Sequence, residues 1–177
     1  MHRLFVAIRP PQTIRDLLID AMDEGPDFRW QDEEQLHLTL RFVGEVERPL
    51  ASDIADALGT IRANRLALCI RGVGRFEQRN SGALWAGVEP REPLAALSSK
   101  VERICQEAGL EPERRTFHPH ITLARWKGRR SHEVQDFLER WSGLSSPLFE
   151  VPEFILFESR LSRHGAHYEE VESYALY

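Results

Sequence analysis

One short segment of this chain occurs twice. Residues 36–40, Leu-His-Leu-Thr-Leu, return as residues 119–123, Pro-His-Ile-Thr-Leu. Both copies read His-x-Thr-Leu with an apolar residue at x, and their histidines lie 83 positions apart in a chain of 177 residues. A motif that recurs after about half of the chain predicts two similar lobes, related by an approximate two-fold axis.

The spacing within each copy predicts where its side chains point. Residues i and i+2 of a β-strand share one face, so His37 and Thr39 point together while the leucines beside Thr39 point into a core. His120 and Thr122 are arranged in the same way. If the two strands face each other across a cleft, the cleft contains two imidazoles and two hydroxyls, each held by a rigid element.

Such a set of groups suits phosphoryl chemistry. Histidine titrates near neutral pH, so one imidazole can take a proton from water while the other gives a proton to the leaving oxygen. Threonine hydroxyls can donate hydrogen bonds to the non-bridging phosphate oxygens, where charge develops in the transition state. No cluster of carboxylates is needed for this chemistry. No divalent metal therefore needs to be invoked.

The remaining hydrophobic pattern predicts an α+β fold. Strands are predicted at residues 4–8, 36–42, 66–70, 83–88, 121–124, 149–157 and 168–177, and amphipathic helices at 14–22, 50–61, 94–108 and 134–141. Glycines make residues 71–82 a turn-rich connection in this interpretation. Because the connections resemble hairpins as often as crossovers, the pattern favours antiparallel sheet. We expect residues 1–177 to form a single domain.

Charge and cysteine content narrow the partners and the compartment. The chain has 23 basic and 28 acidic residues, a net charge of −5, which argues against broad binding to long nucleic acid but permits a short RNA end in a local basic pocket. Cys69 and Cys105 lie in apolar positions and predict buried thiols rather than a disulfide. The apolar stretch at the N-terminus is too short for a signal peptide. We expect a soluble, cytoplasmic protein with no membrane partner and no obligate protein partner.

The paired motifs resemble those of the 2H phosphoesterase superfamily. Within it, the chain is similar to the bacterial and archaeal RNA 2′,3′-cyclic phosphodiesterases, historically also called 2′-5′ RNA ligases. The resemblance covers essentially the whole chain, and four blocks carry it: residues 3–8 (Arg-Leu-Phe-Val-Ala-Ile), residues 36–44, residues 117–125 (Phe-His-Pro-His-Ile-Thr-Leu-Ala-Arg), and a tail with Ser159, Leu161, Gly165 and Tyr168.

The resemblance implies both a fold and a reaction. The fold is bilobed, with two antiparallel β-sheets lining a central cleft and helices on the outside. The reaction is hydrolysis of a 2′,3′-cyclic phosphate, at an RNA end or on a small cyclic nucleotide, to a 2′-phosphate without metal or cofactor. The resemblance also implies the following roles: His37 and His120 as the acid–base pair, with His37 as the acid and His120 as the base, Thr39 and Thr122 as phosphate donors, Arg125 as a further phosphate contact, and Phe42 as a neighbour of the nucleobase.

Strand alternation argues against two of these assigned roles. Arg125 and Phe42 each fall on the face opposite their histidine, and Arg41 falls on the face of His37. Arg41 is therefore the alternative phosphate contact if the side chain of Arg125 does not reach the phosphate.

Other interpretations of the motif residues remain open. The histidines could be hydrogen-bonded core residues, and the threonines could simply be good strand formers. A zinc site that includes His118 and His120 would be interrupted by Pro119 and has no evident third ligand.

Two other functions use the same residues. A 2′-5′ RNA ligase would run the reverse condensation with the same groups. A non-catalytic module would bind RNA ends or nucleotides without turnover, and the presence of both histidines speaks against it.

Overall fold

A computed structural model of the chain describes residues 1–22 and 25–177. Its strands are β1 (His2–Ile8), β2 (Arg29–Trp30), β3 (Leu38–Val46), β4 (Leu66–Gln78), β5 (Ser81–Glu89), β6 (His120–Lys127), β7 (Phe149–Val151), β8 (Glu153–Ser162) and β9 (Gly165–Ala175). Its helices are α1 (Gln12–Ala21), α2 (Arg48–Leu58), α3 (Arg91–Glu107) and α4 (Ser131–Arg140), with a short 3-10 helix at Glu33–Gln35.

Every strand pairing in the described residues is antiparallel. The strand order is β7-β4-β5-β6-β3-β1-β8-β9, and β2 pairs with the outer part of β6. The predicted α+β class with antiparallel sheet is therefore confirmed.

Apart from β2, the sheet is made of two four-stranded halves, and a single residue pair joins them. β3 and β6 are the inner strands of the two halves, and they pair only through Leu38 and Ile121. The two sheets that the resemblance implied are thus continuous at this point. Leu38 and Ile121 each follow a motif histidine, so the junction places both histidines at the centre of the molecule.

The larger hydrophobic core lies between the helices and one face of the sheet. Ile54 and Leu58 of α2 and Leu94 of α3 are fully buried there. A smaller cluster lies on the other face, where Phe5 packs with Phe157. β1 is buried from both sides, which explains its unbroken apolar run. In the part of the chain that the structure describes, no helix is long and apolar enough to cross a membrane.

The prediction of a turn-rich connection at residues 71–82 is wrong. β4 and β5 continue through most of it as one long hairpin. Its glycines make room for aromatic rings instead of turning the chain. A Cβ on Gly74 would lie 2.2 Å from the Trp85 ring, and one on Gly82 would lie 2.2 Å from the Trp126 ring.

The strand predicted at residues 149–157 is also divided. β7 and β8 are separate strands on either side of Pro152, because proline lacks the N–H that a continuous ladder needs.

Candidate active site

Both motif histidines are fixed by the same backbone contact. His37 lies immediately before β3 and His120 is the first residue of β6. Nδ1 of His37 lies 2.6 Å from the carbonyl oxygen of Gln35, and Nδ1 of His120 lies 2.6 Å from that of His118. Because a carbonyl oxygen only accepts, each Nδ1 carries a hydrogen and donates it. In the neutral ring, Nε2 is then left with a lone pair for chemistry.

The two motif threonines follow their histidines along the strands. Thr39 Oγ1 lies 3.0 Å from Nε2 of His37 and lines the cleft between β3 and β6. Thr122 is half-buried and lies opposite Trp85 of the neighbouring strand β5. The leucines that alternate with Thr39 are buried, as predicted, and so are Ile121 and Leu123.

Each motif strand contains a β-bulge directly after its threonine. The register of β3 against β1 passes from Thr39 to Arg41 over one step of β1, so β3 has one extra residue. The register of β6 against β5 passes from Thr122 to Ala124 in the same way. An extra residue reverses the alternation of side chains beyond it. The two bulges occupy equivalent positions in the two motifs.

The bulges return Phe42 and Arg125 to the cleft, so the faces assigned to them by simple alternation are wrong. Both residues line the cleft. The ring of Phe42 is 50% exposed and its centroid lies 6.1 Å from that of Phe5, which lies 4.9 Å from the His37 ring. The charge of Arg125 lowers the pKa of both histidines, so its guanidinium acts electrostatically on both.

Arg41, the alternative to Arg125 as a phosphate contact, is already engaged by protein groups, and the prediction that it lies on the face of His37 is wrong. It is buried and forms an ion pair with Glu102 of α3. Its guanidinium also donates to the carbonyl oxygens of Phe42 and Glu111, each at 2.6 Å. All of these contacts are structural, and they fasten the segment before the second motif to α3 and β3.

Aromatic rings surround each histidine, and the sequence analysis gave them no role. The His37 ring lies 4.9 Å from Phe5 and 5.3 Å from Tyr168. The His120 ring lies 4.8 Å from Phe76 and 6.1 Å from Trp85. Phe76 falls in the stretch that glycine content marked as a turn, and the others lie on β1 (Phe5), β5 (Trp85) and β9 (Tyr168). Phe5 and Tyr168 lie in two of the blocks that carry the family resemblance, and that was the signal available for them.

The environment of the site favours neutral imidazoles. Burial, together with the positive charges of His120, Arg125 and Arg9, lowers the pKa of His37 to about 4. Burial, His118 and Arg125 lower the pKa of His120. Both histidines are therefore uncharged at neutral pH in the ligand-free protein, since withdrawal from water and nearby cations disfavour the imidazolium.

The cleft is large and has a mixed polar and apolar lining. Its volume is about 1280 Å³, and His120, Thr39 and Arg125 share it with apolar and aromatic surface. His118 and His120 have stacked rings 5.8 Å apart. Within residues 1–22 and 25–177, no group of three or more His, Cys, Asp or Glu side chains could hold a metal ion. Cys69 and Cys105 are free thiols.

Sequence comparison identifies the same family as the paired motifs do. The family model of the 2′-5′ RNA ligase superfamily matches residues 9–162. The RNA 2′,3′-cyclic phosphodiesterase of Aeropyrum pernix is 35% identical over 148 residues, which are 82% of this chain and 84% of that protein. The RNA 2′,3′-cyclic phosphodiesterase of Escherichia coli is 30% identical over 179 residues, 99% of this chain and 97% of that protein.

Solved structures resemble the fold over nearly its full length. The apo form of E. coli LigT aligns with a TM-score of 0.81 and 28% identity, covering 99% of this chain and 97% of LigT. E. coli LigT complexed with 3′-AMP aligns with a TM-score of 0.81 and 27% identity, covering 99% and 98%. With the paired motifs at the centre of the sheet and these similarities along the whole chain, this protein belongs to the 2′-5′ RNA ligase superfamily of 2H phosphoesterases.

Proposed function

We propose that this protein hydrolyses the 2′,3′-cyclic phosphate at the end of an RNA to a 2′-phosphate, using His37 and His120 as an acid–base pair and no metal. The observation that carries the proposal is that the two imidazoles make the same hydrogen bond and occupy equivalent positions. Each Nδ1 donates to a backbone carbonyl, and each ring lies beside the one residue pair that joins the two halves of the sheet. The names of the relatives supply the substrate class.

The reaction requires groups on two sides of phosphorus. Opening the ring to a 2′-phosphate breaks the bond between phosphorus and O3′, and in-line displacement places the attacking water opposite that oxygen. We assign His120 as the base that takes the proton from water and His37 as the acid that protonates O3′. The acid must be an imidazolium, so the bound phosphate has to raise the low pKa of His37. A nearby anion favours the protonated ring.

The neighbouring side chains would stabilise the phosphate and the base. The hydroxyls of Thr39 and Thr122 and the guanidinium of Arg125 are donors for the non-bridging oxygens, where negative charge increases in the transition state. Phe42 presents a half-exposed ring at the cleft beside Phe5, and such a ring can stack on a nucleobase.

The direct test is incubation with a nucleoside 2′,3′-cyclic phosphate in the presence of excess EDTA. We expect turnover to the nucleoside 2′-phosphate, identified by its chromatographic mobility against both isomers. Loss of activity with EDTA that zinc or magnesium restores would contradict the metal-independent mechanism. A 3′-phosphate product would contradict the assigned direction of ring opening.

Two further measurements separate the alternative functions. Tight binding without turnover would indicate a module that recognises nucleotides. A ligase would join the cyclic phosphate to an added 5′-hydroxyl RNA end, so product analysis with excess RNA ends measures that reaction directly.

A further inference from the structure

The cleft carries far more positive charge than the chain as a whole. Seven basic side chains and only three carboxylates line it, although the net charge of the chain is −5. Each carboxylate already has a basic partner: Glu102 pairs with Arg41, Glu113 with Arg115, and Asp27 with Arg130 at 4.0 Å. Four cations lining the cleft have no ion pair with any described residue: Arg29, Arg91, Arg125 and Lys127.

Three of these four cations form a continuous strip. Arg29 of β2 lies directly opposite Arg125 of β6 in the strand register, and both are exposed. Lys127 follows Arg125 by two positions with no further register shift, so the two point to the same face, roughly 7 Å apart along the strand. Arg29, Arg125 and Lys127 are called the cationic strip below.

Arg29 and Arg125 are an unfavourable pair for the free protein. Like charges directly opposite each other on neighbouring strands destabilise a sheet, and within the described part of the chain no carboxylate neutralises these two. An anion that binds between them would remove the repulsion and form charge-assisted hydrogen bonds with both guanidinium groups.

The strip also points in a definite direction. β6 begins at His120, in the catalytic centre, and ends at Lys127. A terminal 2′,3′-cyclic phosphate uses both the 2′ and the 3′ oxygen, so the rest of an RNA chain can leave the site only through the 5′ oxygen. The next negative charge of the substrate is therefore the phosphate on that 5′ side.

We propose that Arg29 and Lys127 bind the backbone phosphates on the 5′ side of the terminal nucleotide, so that the enzyme selects RNA ends over cyclic mononucleotides. This inference rests on the proposed function. Arg125 sits between the two groups of contacts, beside the reacting phosphate at one end and Arg29 at the other. The partner is an oligoribonucleotide, and the recognition is of its backbone rather than its sequence.

Steady-state kinetics on two matched substrates test the strip. The substrates are a cytidine 2′,3′-cyclic phosphate and a tetraribonucleotide that ends in the same group. We expect Arg29→Gln and Lys127→Gln each to lower the ratio of kcat/KM for the tetranucleotide to kcat/KM for the mononucleotide by about 3- to 30-fold, mainly through KM. Each should also reduce the slope of log(kcat/KM) against log[salt] for the tetranucleotide by about 0.7.

Arg103→Gln is the matched control. It removes the same charge from an 81% exposed side chain on α3 that pairs with Glu107 and does not line the cleft. We expect this variant to keep the wild-type ratio and the wild-type salt slope.

Two results would overturn the inference. Equal losses on both substrates would place Arg29 and Lys127 at the terminal phosphate, and unchanged ratios would mean that they do not contact the substrate.

If the wild-type protein hydrolyses neither substrate, the proposed function fails separately. The strip is then tested by fluorescence anisotropy with a labelled tetranucleotide ending in a 2′-phosphate. Weaker binding by Arg29→Gln and Lys127→Gln than by Arg103→Gln supports it, and equal binding by all three contradicts it.

Discussion

At the scale of single residues, a backbone carbonyl two positions earlier sets the state of each histidine. Gln35 and His118 accept the Nδ1 hydrogens, so the ring orientation and the tautomer follow from the local path of the chain. The two rings still differ in environment, because Nε2 of His37 lies 3.0 Å from the hydroxyl of Thr39 and burial lowers the pKa of His37 to about 4. This difference makes the assignment of acid and base testable.

A substrate with a good leaving group separates the two roles. His37→Ala and His120→Ala should each lower kcat/KM by roughly 10²- to 10⁴-fold on a ribonucleoside cyclic phosphate. A leaving group of low pKa needs little protonation, so such a substrate should restore much of the activity of His37→Ala and little of that of His120→Ala. The measurement is kcat/KM for both variants on both substrates, and the opposite pattern would exchange the roles.

The proposed phosphate donors should have their own kinetic signature. Thr39→Ala, Thr122→Ala and Arg125→Ala should each lower kcat/KM by roughly 10- to 1,000-fold if they stabilise charge that develops in the transition state. The loss should appear mainly in kcat, because interactions made only in the transition state do not strengthen substrate binding. Wild-type kinetics in Arg125→Ala would remove the guanidinium from the mechanism, despite its place in the cleft.

The low pKa of His37 also predicts a pH dependence of stability. Because that pKa is about 4 in the folded protein and near 6.5 in an unfolded chain, the unfolded state binds more protons between these values. The free energy of unfolding should therefore fall as the pH drops from 6.5 to 4, by about 3 kcal/mol at most for this one group. Urea denaturation of the wild type and of His37→Gln at several pH values isolates the contribution. Parallel curves for the two proteins would contradict it.

At the scale of strands, the two bulges decide which residues the site contains. Without the extra residue after Thr122, Arg125 would point away from the cleft, and Phe42 has the same dependence on the bulge after Thr39. The buried pair of residues at each bulge, Leu40 with Arg41 and Leu123 with Ala124, lies on the core side. The same device in both motifs produces two equivalent positions with different chemistry, an aromatic ring and a guanidinium.

The glycines of the β4–β5 hairpin support the second histidine through an aromatic ring. A methyl group at Gly74 would lie 2.2 Å from the Trp85 ring, and that ring contacts His118 and His120. Gly74→Ala should therefore displace the indole, lower the free energy of unfolding by roughly 1–3 kcal/mol and reduce kcat/KM. Gly143→Ala is the control, because no atom lies within 4 Å of its added methyl group. Equal urea midpoints for the two variants would contradict the packing argument.

At the scale of the whole molecule, one partly buried ion pair connects three parts of the fold. Arg41 of β3 pairs with Glu102 of α3, and Glu102 Oε1 also accepts from the backbone N–H of Glu113 at 2.9 Å. Burial raises the pKa of Glu102, but these hydrogen bonds outweigh it and lower the pKa overall. The segment that leads to His120 is thus fastened to the helix and to the first motif strand.

Glu102→Gln should destabilise the protein by roughly 2 kcal/mol, because it leaves the buried Arg41 without a compensating charge. Glu107→Gln is the matched control: its partner Arg103 is 81% exposed and Glu107 is 60% exposed, so the expected change is below about 1 kcal/mol. Urea denaturation measures both. Similar losses in the two variants would mean that the Arg41 pair contributes no more than a surface pair.

In the same urea titrations, a single cooperative transition would support the prediction that residues 1–177 form one domain.

Local sequence was sufficient for the family, the α+β class and the two motifs. A strand has a period of two and a helix one of 3.6, so apolar spacing alone located the four helices and the cores of the major strands. The repeat then paired His37 with His120 across 83 positions. That the two halves are similar lobes, and that the protein is cytoplasmic, stay predictions.

Long-range packing determined the features that the sequence analysis missed or misplaced. A bulge depends on how a strand pairs with its neighbour, so the faces of Phe42, Arg41 and Arg125 could not follow from alternation within one strand. In the sequence alone, Gly74 suggests a turn. In the folded protein, the Trp85 ring from the next strand occupies the space where a side chain at position 74 would lie. The cross-strand opposition of Arg29 and Arg125 likewise exists only in the folded sheet, because the pairing of β2 with β6 closes their 96-residue separation.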